Sequence, residues 1–382
     1  MKINKDLVDK AIDCLGEFVA PKQDSDLVES IFDQIKDVLL DYKVKVDKSN
    51  FEIHNYFVRY YFSSDNENML KKSLKFIDDV KLRLKCLSVR AYLKNRYVCF
   101  EVVNPQKSQV GLKELLGQSI ENEKESGCYC VIGKMDGKTL NCDITKMPHL
   151  LIAGATASGK SVLIHEIIVS LISRYSPNEL KLLLIDPKGV EFNVYNDVPH
   201  VVNGKSIMSD NEIISAFEAL IEEMDKRYDS FEKYSVLNID DYNKYAQNNN
   251  IDLMRKIVVV IDEFADLMEG HKNEFERLVR DLTSKCRAAG IYLIFSTQRP
   301  SKDTVTTAIN ACLPSRIACK LMYSLDSKLI IGAEGAEQLI GWGDLLYKDV
   351  TMIEPVRALA GYISGKEIRE IVSIVKEYYN NI

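Results

Sequence analysis

The run Gly154-Ala155-Thr156-Ala157-Ser158-Gly159-Lys160-Ser161 sets a glycine, four residues, and then Gly-Lys-Ser. This spacing can wrap a chain of phosphates. Backbone N–H groups of such a loop, and of the helix that follows, point at phosphate oxygens and supply positive potential without side-chain bulk. Lys160 would reach the β- and γ-phosphates as a point charge, and the Ser161 hydroxyl would ligate Mg²⁺. The nucleotide-binding stretch therefore reads Gly154 to Val162. A ligand-free glycine turn can carry the same letters, but an apolar strand before it and an apolar helix after it are the setting a phosphate loop requires.

About a hundred residues on, "KIVVVIDEFADLM" ends an apolar run in Asp262-Glu263. Doubly wound sheets bind ligands at the carboxyl ends of their strands. Asp262 there would hold the Mg²⁺ shell, and Glu263 would orient and deprotonate an attacking water. A third run, "IYLIFSTQRP", ends in Ser296-Thr297-Gln298. Gln298, both donor and acceptor, can sense a γ-phosphate; the same amide can equally cap the following turn. Hydrolysis also calls for an arginine to neutralise transition-state charge, commonly supplied by a neighbouring subunit in ring-forming NTPases. Arg287 in "KCRAAGIY" and Arg316 in "LPSRIACKL" are the candidates, and either can instead be a structural ion-pair partner.

These groups need rigid strands beneath them. "HLLIAGA", "LKLLLID", "KIVVVID", "IYLIFST" and "RIACKL" are nearly continuous apolar runs. Helical spacing separates them over 160–175, about 209–233, 272–286 and 303–311, as a parallel sheet covered on both faces demands. Residues 1–45 read as an arm of two amphipathic helices. Residues 46–105 follow as a small α+β domain of β-α-β-β order, with "NFEIHNYFVRYYFSS" as its first strand, closed by Asn104-Pro105. The larger domain runs from 106 to 382 and opens on a short helix and a polar turn in "SQVGLKELLGQSIENEKESG". The charged stretch "EMDKRYDSFEKYSVLNIDDYN" reads, on composition, as a solvated helical insert.

Composition limits the alternatives. Hydrophobic residues make up 46% and charged residues 28% of 382, the balance of a soluble globular chain. No apolar run approaches a membrane span and the N-terminus lacks a signal core, so a cytoplasmic location is expected. Nine cysteines sit mostly in apolar segments, as reduced thiols do, and Cys128-x-Cys130 with Cys142 lacks the spacing of a zinc ribbon. A net charge of −6 repels nucleic acid in bulk, so any such contact requires a local basic surface.

The phosphate loop, "LLLIDPKGVEFNVYNDVPHV", "VVVIDEFADLM", "KCRAAGIYLIFSTQRPSKDTVTTAINACLPSRIACKL", "DSKLIIGAEGAEQLIGWGDLLY" and "RALAGYISGKEIREIV" together resemble, in order and spacing, the motor of the FtsK/SpoIIIE DNA translocase family. The resemblance covers residues 148 to about 376 closely. It implies a RecA-like P-loop NTPase domain, with the preceding domain matching the family's smaller α domain, which stacks as a second ring. It gives the charged stretch a counterpart in the motor. It further implies ATP and Mg²⁺ as cofactors, Lys160, Glu263, Gln298 and Arg287 as catalytic residues, with Arg287 favoured over Arg316 as the finger acting across a subunit interface, and Ser161 and Asp262 on the metal. Arg299 matches a position near family DNA-contacting loops. Where the family often has a basic residue, this chain has Asn310, and Lys302, Lys320 and Lys328 offer the nearby charge instead.

The resemblance thus implies a double-stranded DNA translocase working as a homo-hexameric ring, of a kind associated with chromosome partition. The family's membrane spans and C-terminal winged-helix domain have no match in the sequence, so a bare motor is expected, with accessory proteins supplying orientation or anchoring. Related motors with a protein cargo, as in secretion, or with single-stranded DNA, as in conjugative coupling, share these motifs. A non-enzymatic module is disfavoured by the intact Lys160, Asp262 and Glu263.

Overall fold

The computed structural model describes residues 1–19, 21, 23–86, 88–119, 127–147 and 149–380. Much of the polar turn expected in "SIENEKESG" lies outside them. Helix α1 (Lys5–Asp13) starts where the Asn4 side chain accepts from the Leu7 N–H, and α2 (Ser25–Asp41) where Asp24 accepts from Asp26 and Leu27. Both caps satisfy N–H groups that the first helical turn leaves open.

The first strand expected in the small domain is in fact two. "NFEIHNYFVRYYFSS" turns back at His54-Asn55, where the His54 N–H donates to the Phe57 carbonyl, giving β1 (Asp47–Ile53) and β2 (Phe57–Ser63). Helices α3 (Glu67–Ser73) and α4 (Ile77–Leu84), then β3 (Val89–Lys94) and β4 (Tyr97–Val103), complete an antiparallel sheet of order β1-β2-β4-β3. The β-α-β-β order is therefore corrected to β-β-α-α-β-β. Strand periodicity puts Val58, Tyr60 and Phe62 in the apolar core with α2 residues Ile31, Phe32 and Ile35.

The larger body begins with α5 (Leu112–Ser119) and the hairpin β5 (Tyr129–Met135) and β6 (Lys138–Asp143). Strand β7 (His149–Ala153) leads into α6 (Lys160–Arg174), and β8 (Leu180–Ile185) precedes α7 (Asp210–Tyr234) and α8 (Ile239–Asn249). Next come β9 (Lys256–Ile261), α9 (Phe264–Thr283), β10 (Ile291–Thr297), α10 (Thr307–Cys312), β11 (Ser315–Cys319) and α11 (Ser324–Ile331). Strands β12 (Asp344–Lys348) and β13 (Val356–Leu359) and helix α12 (Gly365–Asn380) close the chain. The nine strands run β6-β5-β13-β12-β11-β7-β10-β9-β8, parallel from β11 to β8 and antiparallel elsewhere.

The apolar strands are explained by burial on both faces. Leu150 and Ile152 of β7 join Leu163, Ile164 and Ile167 of α6, while their neighbours Leu151 and Ala153 join Phe217 of α7 and Phe264 of α9. Helix α9 starts at Phe264, earlier than the 272 expected, and His271 departs from helical dihedrals and splits it just before that position. No helix among the described residues is long and apolar enough to cross a membrane. Cys128, Cys130 and Cys142 are buried, and burial pushes the Cys128 and Cys142 thiols up to about 12.

The N-terminal helices expected as one arm serve different bodies. Helix α1 packs against α5, α6 and α12, whereas α2 lies on β1 and α4. The bodies also meet through charge. Glu101 of β4 is fully buried and accepts from Arg59 at 2.9 Å, Arg90 at 3.3 Å and Arg357 of β13 at 3.0 Å. Burial alone would raise its pKa, yet Arg357, Arg90 and Arg59 together hold it well below the carboxylate range. Arg357 also grips Asp344 with Nε and Nη2, at 2.8 and 2.6 Å.

Glu166, on α6, has the opposite character. Burial raises its pKa well above the usual range, the Gly361 N–H donates to Oε2, and Oε1 has no hydrogen-bond partner among the described residues.

Two stability measurements check these assignments. Glu101→Leu strands several buried guanidinium groups and should cost about 3–5 kcal/mol, read as a lower thermal midpoint. For Glu166 the folded chain keeps a proton that the unfolded chain releases, so stability falls as pH rises above the ordinary carboxylate range. Glu166→Gln removes that slope, so its midpoint relative to the parent should climb steadily from pH 5 to pH 8; a constant difference would refute the buried acid.

Candidate nucleotide site

Strand β7 ends under the loop 154–159, and backbone bonds moor that loop on three sides. The Gly154 N–H donates to the Thr297 carbonyl at 3.1 Å and the Ala155 N–H to the Lys320 carbonyl at 2.9 Å. The Gly343 N–H donates to the Ser158 carbonyl at 2.9 Å. Both glycines are demanded by space. A Cβ on Gly154 would lie 2.5 Å from Ser158 Oγ, and one on Gly159, whose φ is +98°, would lie 2.3 Å from the Gly343 nitrogen. What remains is a cradle of backbone at the start of α6, where the helix dipole and open N–H groups favour an anion.

Three strand ends converge here. Lys160 Nζ donates to Asp262 Oδ1 at 2.9 Å, to the Asp262 carbonyl at 3.0 Å and to Ser296 Oγ at 2.9 Å. Both members of this ion pair are buried, with side chains 3% and 4% exposed. Glu263 is fully buried; Thr297 Oγ1 donates to one oxygen at 2.6 Å and the Gln298 N–H to the other at 2.9 Å. Gln298 Oε1 accepts from Thr156 Oγ1 at 3.1 Å, joining the third strand end to the phosphate loop. Ser161 Oγ donates to Glu191 Oε1 at 2.9 Å. The donor set is oxygen-rich, with a serine hydroxyl beside carboxylates, which suits Mg²⁺ rather than a thiolate-seeking metal.

Glu191 carries no role in the sequence reading. The signal was present in "DPKGVEF", a polar run at the end of β8. Buried Asp186 folds this run by accepting from the N–H groups of Gly189, Glu191 and Phe192. A hydrogen bond from His165, and burial acting against it, leave the Glu191 carboxyl below its ordinary range. Ser296, named in the sequence only as part of a polar strand end, and the loop around Trp342 and Gly343 are further residues at the site.

The two arginine candidates part. Arg316 is buried, donates Nη2 to Asn310, and burial lowers it to about 10, so it braces α10 against β11. Arg287 is exposed, and its Nε donates to the Thr145 carbonyl at 3.3 Å. Thr145 precedes β7 and Arg287 precedes β10, so this arginine stands at the amino ends of the strands, opposite its own phosphate loop. The charged stretch expected as a solvated insert holds that arginine's loop. Ile239 N–H donates to the Ala288 carbonyl at 2.9 Å, Arg227 Nη1 to the Ala289 carbonyl at 2.7 Å and Tyr228 Oη to the Lys285 carbonyl at 3.1 Å.

Arg299, Lys302, Lys320 and Lys328 are all exposed. Arg299 pairs with Glu269 at 3.1 Å and Lys328 with Glu334 at 2.8 Å, while the Lys320 backbone belongs to the phosphate-loop mooring. Asn310, where a basic residue was sought, accepts from Arg316 through its side chain.

Residues 112–302, half of the chain, match the model of the FtsK/SpoIIIE family. The chain belongs to the FtsK/SpoIIIE family. It is 38% identical over 313 residues to the DNA translocase FtsK of Clostridium tetani, covering 81% of this chain and 42% of that protein. With the DNA translocase FtsK of Sporosarcina ureae it shares 33% over 362 residues, 92% of this chain and 46% of the relative. The chain thus spans less than half the length of these FtsK relatives. Among solved structures, the pCW3 conjugation coupling protein TcpA, in a monomer form with ATPγS, superposes with a TM-score of 0.63 at 21% identity, over 90% of this chain and 99% of that one. The cytoplasmic domain of the Thermomonospora curvata type VII secretion ATPase EccC gives 0.61 at 25% identity, over 67% and 32%. The fold of this family member is therefore the mixed, mainly parallel α/β fold of P-loop ATPases, preceded by a small antiparallel domain.

The glycine cradle is open to test. Gly159→Ala places a methyl group into the Gly343 backbone in a left-handed conformation, and should abolish binding of a fluorescent ATP analogue. Gly117→Ala, in α5 with open space around it, should leave binding intact and add about 0.5–1 kcal/mol of stability.

Proposed function

We propose that this chain is an ATP-driven motor that moves double-stranded DNA through a homo-hexameric ring, working in the cytoplasm. The observation that carries the reading is the split site. Lys160, Ser161, Asp262, Glu263 and Gln298 gather at the carboxyl ends of the strands, while Arg287 stands exposed at their amino ends. Five residues of β7 at about 3.3 Å each separate the two ends. An arginine so placed serves a nucleotide held by another copy, which is the arrangement a ring provides.

Within the site, Lys160 exchanges its Asp262 and Ser296 partners for β- and γ-phosphate oxygens. Ser161 and Asp262 would hold Mg²⁺, which when bound neutralises phosphate charge. Glu263 is kept in place by Thr297 and the Gln298 backbone, and takes the proton of the attacking water. Gln298, already bonded to Thr156 of the phosphate loop, senses the γ-phosphate. Arg287 from the neighbour stabilises charge at the transferring phosphoryl group.

The DNA cargo rests on the similarity to FtsK proteins and on exposed Arg299, Lys302 and Lys328 beyond β10 and β11, on a chain of net charge −6. Contacts of this sort address phosphates and carry no base sequence. Orientation and anchoring fall to accessory proteins.

ATP hydrolysis is measured with duplex DNA, single strands and no nucleic acid, while light scattering follows ring formation. Duplex should stimulate the rate most, and the stimulation should fall steeply with salt. Lys160→Ala should cut turnover by about 100-fold or more, and Glu263→Ala should leave ATP bound but uncleaved. Stimulation by single strands alone would favour a coupling-type motor, and indifference to any DNA a protein cargo.

A further inference from the structure

The phosphate loop presents two functional side chains, and each rests on its own carboxylate. Lys160 is taken by Asp262, at the end of β9. Ser161 is taken by Glu191, in the loop after β8, at 2.9 Å. The second contact is built rather than incidental. Asp186 accepts three N–H groups of that loop at 3.0, 2.8 and 3.0 Å, fixing the backbone that carries Glu191. The other Glu191 oxygen lies 3.3 Å from His165 Nε2, and His165 Nδ1 lies 2.8 Å from the hydroxyl of buried Tyr195. His165 is one helical turn beyond Ser161 on α6, so the two stand on one face and hold the carboxylate between them. Lys188 of the same loop reaches Asp266 of α9 at 3.8 Å, tying it to the helix that follows Glu263.

Mg²⁺ at a phosphate site keeps several waters and takes one or two carboxylates besides the substrate oxygens. Groups that orient a ligand commonly tune metal affinity 10–100-fold. We propose that Glu191 is a positioning residue for the divalent cation: it sets the Ser161 hydroxyl and adds a second negative charge, besides Asp262, where a cation held by Ser161 binds. His165 and Tyr195 keep it aimed. This rests on the nucleotide reading of the site, and gives the loop after β8 a part in cation loading that the phosphate loop and the Asp262-Glu263 strand end do not account for.

The test uses the full chain and two probes. Binding of Mn²⁺ in the presence of ADP is followed by the loss of the free-ion paramagnetic resonance signal, and affinity for fluorescent mant-ADP is measured in EDTA. Glu191→Gln should weaken Mn²⁺ binding 10–100-fold while mant-ADP affinity in EDTA stays within about twofold, and Glu191→Asp should recover part of the loss. Unchanged Mn²⁺ affinity in Glu191→Gln, or an equal loss of mant-ADP affinity in EDTA, overturns the proposal. His165→Asn is a second variant that leaves the carboxylate in place: a smaller loss confined to Mn²⁺ supports the aiming role, and none overturns it. A parent chain that binds neither probe overturns the nucleotide reading itself, a result distinct from a variant that matches a binding-competent parent.

Discussion

A constraint on which much of the molecule depends is the approach of two backbones, Gly159 at the head of α6 and Gly343 in the loop before β12. Ser158 and Gly343 share a hydrogen bond of 2.9 Å, and no side chain fits between the strands of chain that make it. Much else follows from that contact. The loop carrying Gly343 is held in turn by Asp344, which accepts from the Ile340 N–H at 2.8 Å and is clasped by Arg357. Arg357 then reaches Glu101 in the small domain. A continuous series of short polar contacts therefore runs from the phosphate loop to a sheet formed by residues 47–103.

Burying that series has an electrostatic logic. An ion pair out of water costs more than its own attraction returns unless further hydrogen bonds complete it. Glu101 meets this condition with three arginines and the Tyr92 hydroxyl, and the Arg357 guanidinium additionally lies 4.2 Å from the centre of the Phe57 ring. The contact that crosses between the bodies is Arg357 with Glu101, and each of the two also keeps a partner in its own body, Asp344 for Arg357 and Arg59 and Arg90 for Glu101. Lys160 and Asp262 at the phosphate loop form a buried pair of a different sort, which the proposed function has exchanging partners for a ligand.

The sequence disclosed the parts of this structure that repeat a simple rule. The parallel strands β7 to β11 were readable because burial on both faces makes them apolar throughout. The phosphate loop was readable because its glycines are required by sterics at fixed spacing. The hairpin at His54-Asn55 was hidden, since an aromatic run of alternating residues looks the same whether it continues or turns. The first turns of helix α9 were hidden, because the break at His271 interrupts its pattern. At the site, Lys160 announces itself by the glycine spacing of its loop, and Asp262, Glu263 and Gln298 by standing at or just beyond strand ends. Glu191 does not, because its place depends on how Asp186 folds a loop, a long-range outcome with no periodicity. The charged stretch of α7 and α8 misled for a related reason: its packing partner is the backbone at Ala288 and Ala289, and backbone carries no signature in composition.

The division of the first two helices has a mechanical meaning. Helix α1 belongs to the large body and α2 to the small one, so the chain crosses between them once there and again between β4 and α5. Two bodies joined by a single strand can swivel freely. Joined by two, and held at a third place by Arg357 and Glu101, they can neither spin nor part without breaking a buried ion pair.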